Sequence, residues 1–304
     1  MRHPRLVLLT AILAAIGVGE LVRTQGTDFS KAEVKTEKLA DGLFMLEGEG
    51  GNIGVSSGTD GMLLVDDQYA PMTGKVLAAL KALGPQPVRF VLNTYWHEDH
   101  TGGNENFGKA GAVIVAHENV RRRMSAEQFI EMFKMKTPPA PVAALPMITF
   151  GDDLTLHLNG DDIHAIHVRP AHTDGDSIVH FVRANVMHMG DLFFNGVYPF
   201  VDLSTGGSVE GMIAAADRAL AIADTRTRII PGHGPVGDKA ALVAFRTVLV
   251  TVRDRVRPLI KAGRTLAQVK AAAPTKDLDA KWGQGFMNGE QFTEIVFRSY
   301  GGKL

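Results

Sequence analysis

The chain of 304 residues contains no cysteine. Thiolate metal sites and thiol nucleophiles are therefore excluded, as is a lipid-modified cysteine behind a leader, and an exported form would mature without disulfides. Long basic runs are lacking too: the longest is Arg121-Arg122-Arg123, and the formal net charge is −1. Phosphate backbones are gripped by clustered Lys and Arg, so no nucleic-acid partner is expected, and the triplet reads as a solvated helix face. Nor does any apolar run reach the ~20 residues that a membrane span needs. Residues 6–18 form an apolar stretch of 13 residues behind Arg2, His3 and Arg5, with Gly17 and Gly19 at cleavage-like spacing. This reads as a leader cut between Gly19 and Glu20, with an uncleaved anchor as the alternative. The expectation is export, to a bacterial periplasm, without stable membrane insertion after cleavage.

What is present is a hydrophobic fraction of 45%, enough for a large core. After the leader (1–19), residues 20–32 read as a polar linker, 33–237 as the main domain, and 238–304 as a helical segment packed on that domain. Short β-like runs alternate with glycine turns from residue 34 to 67. Pro71 opens a helix to about residue 83, with Val76, Leu77, Leu80 and Leu83 at helical spacing. An apolar strand covers 88–92, and a strand at 113–116 leads into a helix from about Glu118. A second strand series spans 154–189, a helix 209–222, and a short strand 228–230. Helices are predicted at about 238–261, 266–272 and 290–300. Two β-rich halves, each closed off by helices, predict an α/β sandwich. Residues 124–148, rich in Met and Phe and ending in Thr137-Pro138-Pro139-Ala140-Pro141, read either as a surface helix with a proline connector or as an adaptable apolar flap over a pocket.

Ligand-type side chains follow four of the strands. They are His97, Asp99 and His100 in Asn93-Thr94-Tyr95-Trp96-His97-Glu98-Asp99-His100, then His172 in Pro170-Ala171-His172-Thr173-Asp174-Gly175-Asp176, Asp191 in Met189-Gly190-Asp191, and His233 in Pro231-Gly232-His233-Gly234. Loops bounded by glycine or proline leave such side chains free to converge on one edge of a sheet. Imidazole with carboxylate suits zinc, iron or manganese. His117, His157, His164, His167, His180 and His188 lie at no ligand spacing and read as structural or exposed.

In order and local context these motifs resemble the metallo-β-lactamase superfamily, whose pattern is His-x-His-x-Asp-His, a later His-Thr, a Gly-Asp and a final Gly-His. The resemblance covers about residues 35–235 and implies a four-layer αββα sandwich with two metals at the sheet edges. It assigns His97 and His172 to a first metal site, Asp99, His100 and His233 to a second, and Asp191 to both, while Asp66 would orient the region. The cofactor implied is Zn2+, one ion or two, with Fe or Mn as alternatives. Asp191 within Gly-Asp-Leu-Phe-Phe is most like the glyoxalase-II-like and lactonase-like branch.

Tyr95 stands where the pattern has its leading histidine. A phenol titrates near ~10 and an imidazole near ~6.5, so tyrosine is the poorer ligand at neutral pH. The second site is accordingly expected to be the stable one and the first weak or empty. The functional expectation is an exported metal-dependent hydrolase of a small ester, thioester, lactone or amide, β-lactams included, working through water activated by the metal. Asp99, Tyr95 and His172 are its catalytic candidates, and Phe193, Phe194, Tyr198 and Phe200 its expected pocket lining. The alternative is a catalytically impaired binding protein on the same scaffold.

Overall fold

The computed structural model describes residues 28–302. The expected leader and residues 20–27 of the expected linker lie outside the described residues. Two sheets dominate. The first runs in the order β1 (Lys35–Ala40), β2 (Leu43–Glu47), β3 (Ile53–Gly58), β4 (Gly61–Val65), β5 (Val88–Asn93), β6 (Val113–His117) and β9 (Ile148–Phe150). A hairpin of β7 (Gln128–Ile130) and β8 (Met135–Thr137) stands apart from it. The second sheet runs in the order β10 (Asp153–Leu158), β11 (Asp161–His167), β12 (Ser177–Phe181), β13 (Val186–His188), β14 (Arg228–Ile230) and β15 (Gly237–Asp238).

Side-chain alternation along each strand sets the layers. Leu63 and Val65 of β4, Leu92 of β5 and Val115 of β6 meet Val179 and Phe181 of β12, Val186 of β13 and Ile230 of β14 in a core between the sheets. The intervening positions face outward. Leu64, Val91 and Ile114 pack against Val76 and Leu80 of α1 (Thr73–Leu83) and Phe107 of α3 (Asn104–Lys109). Ile178, Met187 and Ile229 pack against Met212 and Ala216 of α5 (Val209–Ile222) and Phe245 and Leu249 of α6 (Lys239–Lys261). The fold is therefore the four-layer αββα sandwich.

The buried positions of α6, at Leu242, Phe245, Leu249, Val252 and Val256, recur every three or four residues, and Asp238 caps the helix by accepting from the Ala241 amide. Two short helices, α7 (Leu266–Ala271) and α8 (Asp279–Trp282), lead to α9 (Gly289–Ser299), which opens with a reciprocal capping box of Asn288 and Gln291. Val269, Trp282, Phe292 and Val296 from these helices join the same core as α5 and α6.

Two sequence expectations are corrected. Residues 28–32 are docked rather than a free linker: the Lys75 ammonium donates to the carbonyls of Phe29, Ser30 and Ala32, and the Phe29 ring meets Tyr69 edge-on at 5.4 Å. Residues 124–148 do not continue the preceding helix. α4 (Glu118–Met124) stops at Met124, and the chain turns back on itself as the β7–β8 hairpin beside the loops that carry His97, Asp99 and His233. Among the described residues, no helix is long and apolar enough to cross a membrane.

Candidate metal centre

β4, β5 and β6 run parallel, so their exits open at one edge of the first sheet. Asp66 leaves β4 with a left-handed backbone (φ 64°), which turns its carboxylate under the exit of β5. There it accepts from the Thr94 amide at 2.7 Å and the Thr94 hydroxyl at 2.6 Å, and its second oxygen lies 2.7 Å from His100 Nδ1. The imidazole is thus fixed with Nε2 pointing away from Asp66. From the second sheet, Asp191 follows β13 and His233 follows β14.

These groups meet. The ligand atoms of Asp99, His100 and His233 all lie within 4.8 Å of one another. His233 Nε2 is 3.2 Å from Asp99 Oδ2, and Asp191 Oδ1 is 3.2 Å from His100 Nε2 and 3.4 Å from His233 Nε2. Glycine makes the approach possible at two points: a Cβ on Gly51 would fall 2.1 Å from the His100 ring, and one on Gly232 would fall 1.9 Å from Asp191 Oδ1.

A neighbouring group lies deeper. His172 Nδ1 donates to the Phe200 carbonyl at 2.9 Å, which leaves Nε2 bare, and burial holds its pKa down to about 4. His97 Nε2 lies 3.1 Å from the Asp202 carboxylate. With that nitrogen donating, the bare Nδ1 of His97 faces the bare Nε2 of His172 at 3.1 Å, and Asp191 Oδ2 is 3.5 Å from the same Nε2. Two facing lone pairs repel unless a proton or cation lies between them. The Tyr95 ring fills the space between the groups, with centroids 4.9, 4.5 and 4.6 Å from those of His97, His100 and His172. Its hydroxyl is buried and makes no well-directed hydrogen bond among the described residues. Burial, then the charges of Asp191 and Asp99, push its pKa well up, so it is a neutral phenol.

The Lactamase_B family model, described as the metallo-beta-lactamase superfamily, matches residues 46–233. The chain belongs to this superfamily. Among solved structures, a metallo-beta-lactamase from Pontibacter korlensis matches with a TM-score of 0.59 at 20% identity, covering 72% of this chain and 99% of that one. The DIM-1 metallo-beta-lactamase, in a structure exposed to ceftazidime, matches with 0.56 at 20% identity over 72% and 97%. The inverting sec-alkylsulfatase Pisa1 from Pseudomonas sp. matches with 0.67 at 17% identity, covering 89% of this chain and 51% of that one. These likenesses show the fold. A curated relative, the 2,4-dinitroanisole O-demethylase subunit alpha of Nocardioides sp. (strain JS1661), is 26% identical over 141 residues, which is 46% of this chain and 40% of that protein's length.

Members of the superfamily bind divalent metals, and the residues here fit one. His100 Nε2 and Asp191 Oδ1 are buried 3.2 Å apart, and neither makes a well-directed hydrogen bond among the described residues. Ligand-atom separations of 3.2 to 3.6 Å among Asp99, Asp191, His100 and His233 are close to the ~3.3 Å edge of a tetrahedron with metal bonds of about 2.0–2.1 Å. Charge agrees with geometry. Burial lowers the pKa of His100, yet Asp99, Asp191 and Asp66 together outweigh it and hold the pKa well up, so the cluster stabilises a positive charge. Asp99, despite burial, is drawn down to about 2 by His100 and His233. Asp99, His100, His233 and Asp191 would hold the ion. Among the described residues no comparable cluster of three His or acidic ligands forms around His97 and His172.

The six ligand candidates and the orienting Asp66 named from the sequence all lie in this region, but two further supports were missed. Asp202, which orients His97, also accepts from the Thr205 hydroxyl at 2.7 Å. Asp176 holds the His172 loop by accepting from the amides of His172 and Thr173, at 2.7 and 2.9 Å. Asp176 stood in the His-Thr motif, whereas Asp202 carried no motif at all. The expected lining also needs correction. Phe193 and Tyr198 are core residues: Phe193 packs on Phe245 at 5.4 Å, and the Tyr198 hydroxyl donates to Asp279 at 2.9 Å. Phe194 is buried behind His233, its ring stacked at 5.5 Å. Only Phe200 of the four reaches the cavity, of ≈ 490 Å³, which is walled by Tyr69, Tyr95, Trp96, Phe133 and Phe286 as well.

Proposed function

We propose that the protein is an exported metal-dependent hydrolase of a small ester, thioester, lactone or amide, with its second metal site dominant and its first weakened by Tyr95. The observation that carries the reading is the convergence of Asp99, His100, His233 and Asp191 at the floor of an aromatic-walled cavity. A metal bound there supplies Lewis acidity and brings the pKa of its water to about 7. The chain's own groups supply the rest. Asp99 turns Oδ2 toward His100 and His233, so its Oδ1 would be the oxygen left to accept a proton from water in the cavity. Tyr95, a neutral phenol with an unused hydroxyl, donates a hydrogen bond to the oxygen that gains charge. The demethylase relative is named for 2,4-dinitroanisole, an uncharged aromatic, and an aryl leaving group suits the Trp96 and Phe200 walls.

The test combines metal analysis with a panel of chromogenic esters, thioesters, lactones and nitrocefin, with zinc, iron or manganese added. One tightly held equivalent, and turnover abolished by Asp99→Ala, are expected; two tight equivalents would contradict the weak first site. The position of Tyr95 favours a second reading, an impaired scaffold that binds without turning over. No activity with any metal, together with activity restored by Tyr95→His, would establish it. Export is part of the same proposal and rests on residues 1–19; recovery of the mature chain in a periplasmic fraction, beginning at Glu20, tests it.

A further inference from the structure

The cavity above the candidate metal centre is lined by four carboxylates, Glu49, Glu98, Asp99 and Asp191, and, among the described residues, by no lysine or arginine. Asp99 and Asp191 face the metal ligands, but Glu49 and Glu98 stand exposed at the mouth. Neighbouring acids are neutralised: Glu105 pairs with Lys109 at 2.6 Å and Glu118 with Arg122 at 3.7 Å. Glu49 and Glu98 pair with no cation among the described residues. Two basic side chains of the surrounding segments are engaged elsewhere, Lys136 with Glu127 at 3.1 Å and Arg123 with Asp174 at 2.7 Å. The same cavity has an apolar wall. Phe133, in the turn of the β7–β8 hairpin, reaches Phe200 at 4.7 Å and Phe286 at 6.1 Å, and Ile130 and Met135 complete it.

We propose that this site selects substrates without negative charge, whose apolar body lies against the Phe133–Phe200–Phe286 wall, and that Glu49 and Glu98 reject carboxylates, sulfates and phosphates at the mouth. The inference rests on the hydrolase reading and narrows it. It also sets this chain apart from the fold relative named for alkyl sulfates, which are anions: among the described residues no lysine or arginine lines this cavity to pair with a sulfate group. Aromatic faces beside the carboxylates favour a cationic group at the same place.

The experiment uses three esters of 4-nitrophenol with acyl chains of equal length, ending in a methyl, a trimethylammonium or a carboxylate group. In water-like surroundings one unit charge about 5 Å from another changes binding about fourfold. The two glutamates together then give a kcat/KM ratio of about tenfold or more for the ammonium over the carboxylate ester at low salt, with the methyl ester between. The ratio shrinks at 0.5 M salt because exposed charges are screened. Glu49→Gln with Glu98→Gln brings it toward one, and Glu49→Lys with Glu98→Lys inverts it. A carboxylate ester turned over as well as the other two overturns the proposal and leaves the hydrolase reading standing. If no ester is turned over with any metal, the hydrolase reading fails instead, and the charge preference is then read from quenching of Trp96 fluorescence by the corresponding 4-nitroanilides. Equal quenching by the anionic and cationic amides overturns it there, and stronger quenching by the cation supports it.

Discussion

Asp66→Asn is the most revealing single substitution because it changes one proton and almost no volume. Asparagine tolerates the left-handed backbone that Asp66 adopts at φ 64°, so the loop keeps its course. The amide oxygen can still accept from the Thr94 amide, as Asp66 does at 2.7 Å. The amide nitrogen must then occupy the place of Oδ2, where the Thr94 hydroxyl at 2.6 Å can rotate to accept from it. His100 cannot adjust so simply. Its Nδ1, 2.7 Å from that position, now meets a donor, and the ring answers by carrying its proton on Nε2. That nitrogen is the one aimed at Asp191, 3.2 Å away, and at the shared point between Asp99 and His233. A protonated Nε2 is not a ligand. Loss of such an orienting carboxylate typically costs 10–100-fold in metal affinity, or about 1.4 to 2.7 kcal/mol. The assay is competition for zinc against a chromophoric chelator, with far-ultraviolet circular dichroism showing the apo fold intact. Asp66→Ala makes the contrast: it leaves the Thr94 amide buried without an acceptor, which adds about 1–3 kcal/mol of destabilisation in the metal-free protein. An Asp66→Asn protein that is folded and binds zinc within threefold of the parent would refute the reasoning.

Gly232→Ala should weaken metal binding more than it weakens the fold, since the new methyl group falls 1.9 Å from Asp191 Oδ1 and 2.7 Å from the Gly190 carbonyl carbon; zinc competition and urea unfolding of the apo form separate the two effects. Phe245→Ala empties a position that packs on Phe193 at 5.4 Å and Trp282 at 6.4 Å, so a loss of about 3–5 kcal/mol in urea unfolding is expected, with m unchanged. The stacked rings of His117 and His167, 3.6 Å apart, predict an acid-sensitive fold. Burial, then His167, lowers the pKa of His117 to about 4, below its value of ~6.5 in the unfolded chain. The unfolded state therefore binds more protons between these values, and this share of the stability, complete above about pH 6.5, is lost as pH falls through about 4. His117→Asn, whose side chain can still accept from the Asn119 amide, should flatten that limb of the apo stability curve.

The metal ligands were legible because each sits within a few residues of a strand's end. An apolar run followed by His97, Asp99 and His100, or by Gly232-His233, carries its meaning in a short window. The hairpin over the cavity was not legible, for three physical reasons. Its strands are three residues each, too short for alternation to show. Its turn places Lys134 at φ 49° where glycine or asparagine would have announced it. Its Met and Phe side chains follow no helical period, so composition left a surface helix and an apolar flap as alternatives and did not choose between them. Asp202 was equally silent: its role exists only through contact with His97, 105 positions away, and an aspartate in an irregular segment carries no local signal. Phe193 and Tyr198 misled in the opposite sense, since aromatic residues beside a ligand look like a lining until the C-terminal helices are seen to bury them. The division has a functional consequence. The ligands lie within the matched residues 46–233, whereas Phe286, one side of the mouth, lies beyond them. Phe133 lies within the match but in a connection between strands, the kind of segment that varies most between proteins of one fold. Family membership therefore speaks for the metal chemistry, and the choice of substrate proposed above rests largely on side chains such as Phe133 and Phe286, which the motifs do not reach.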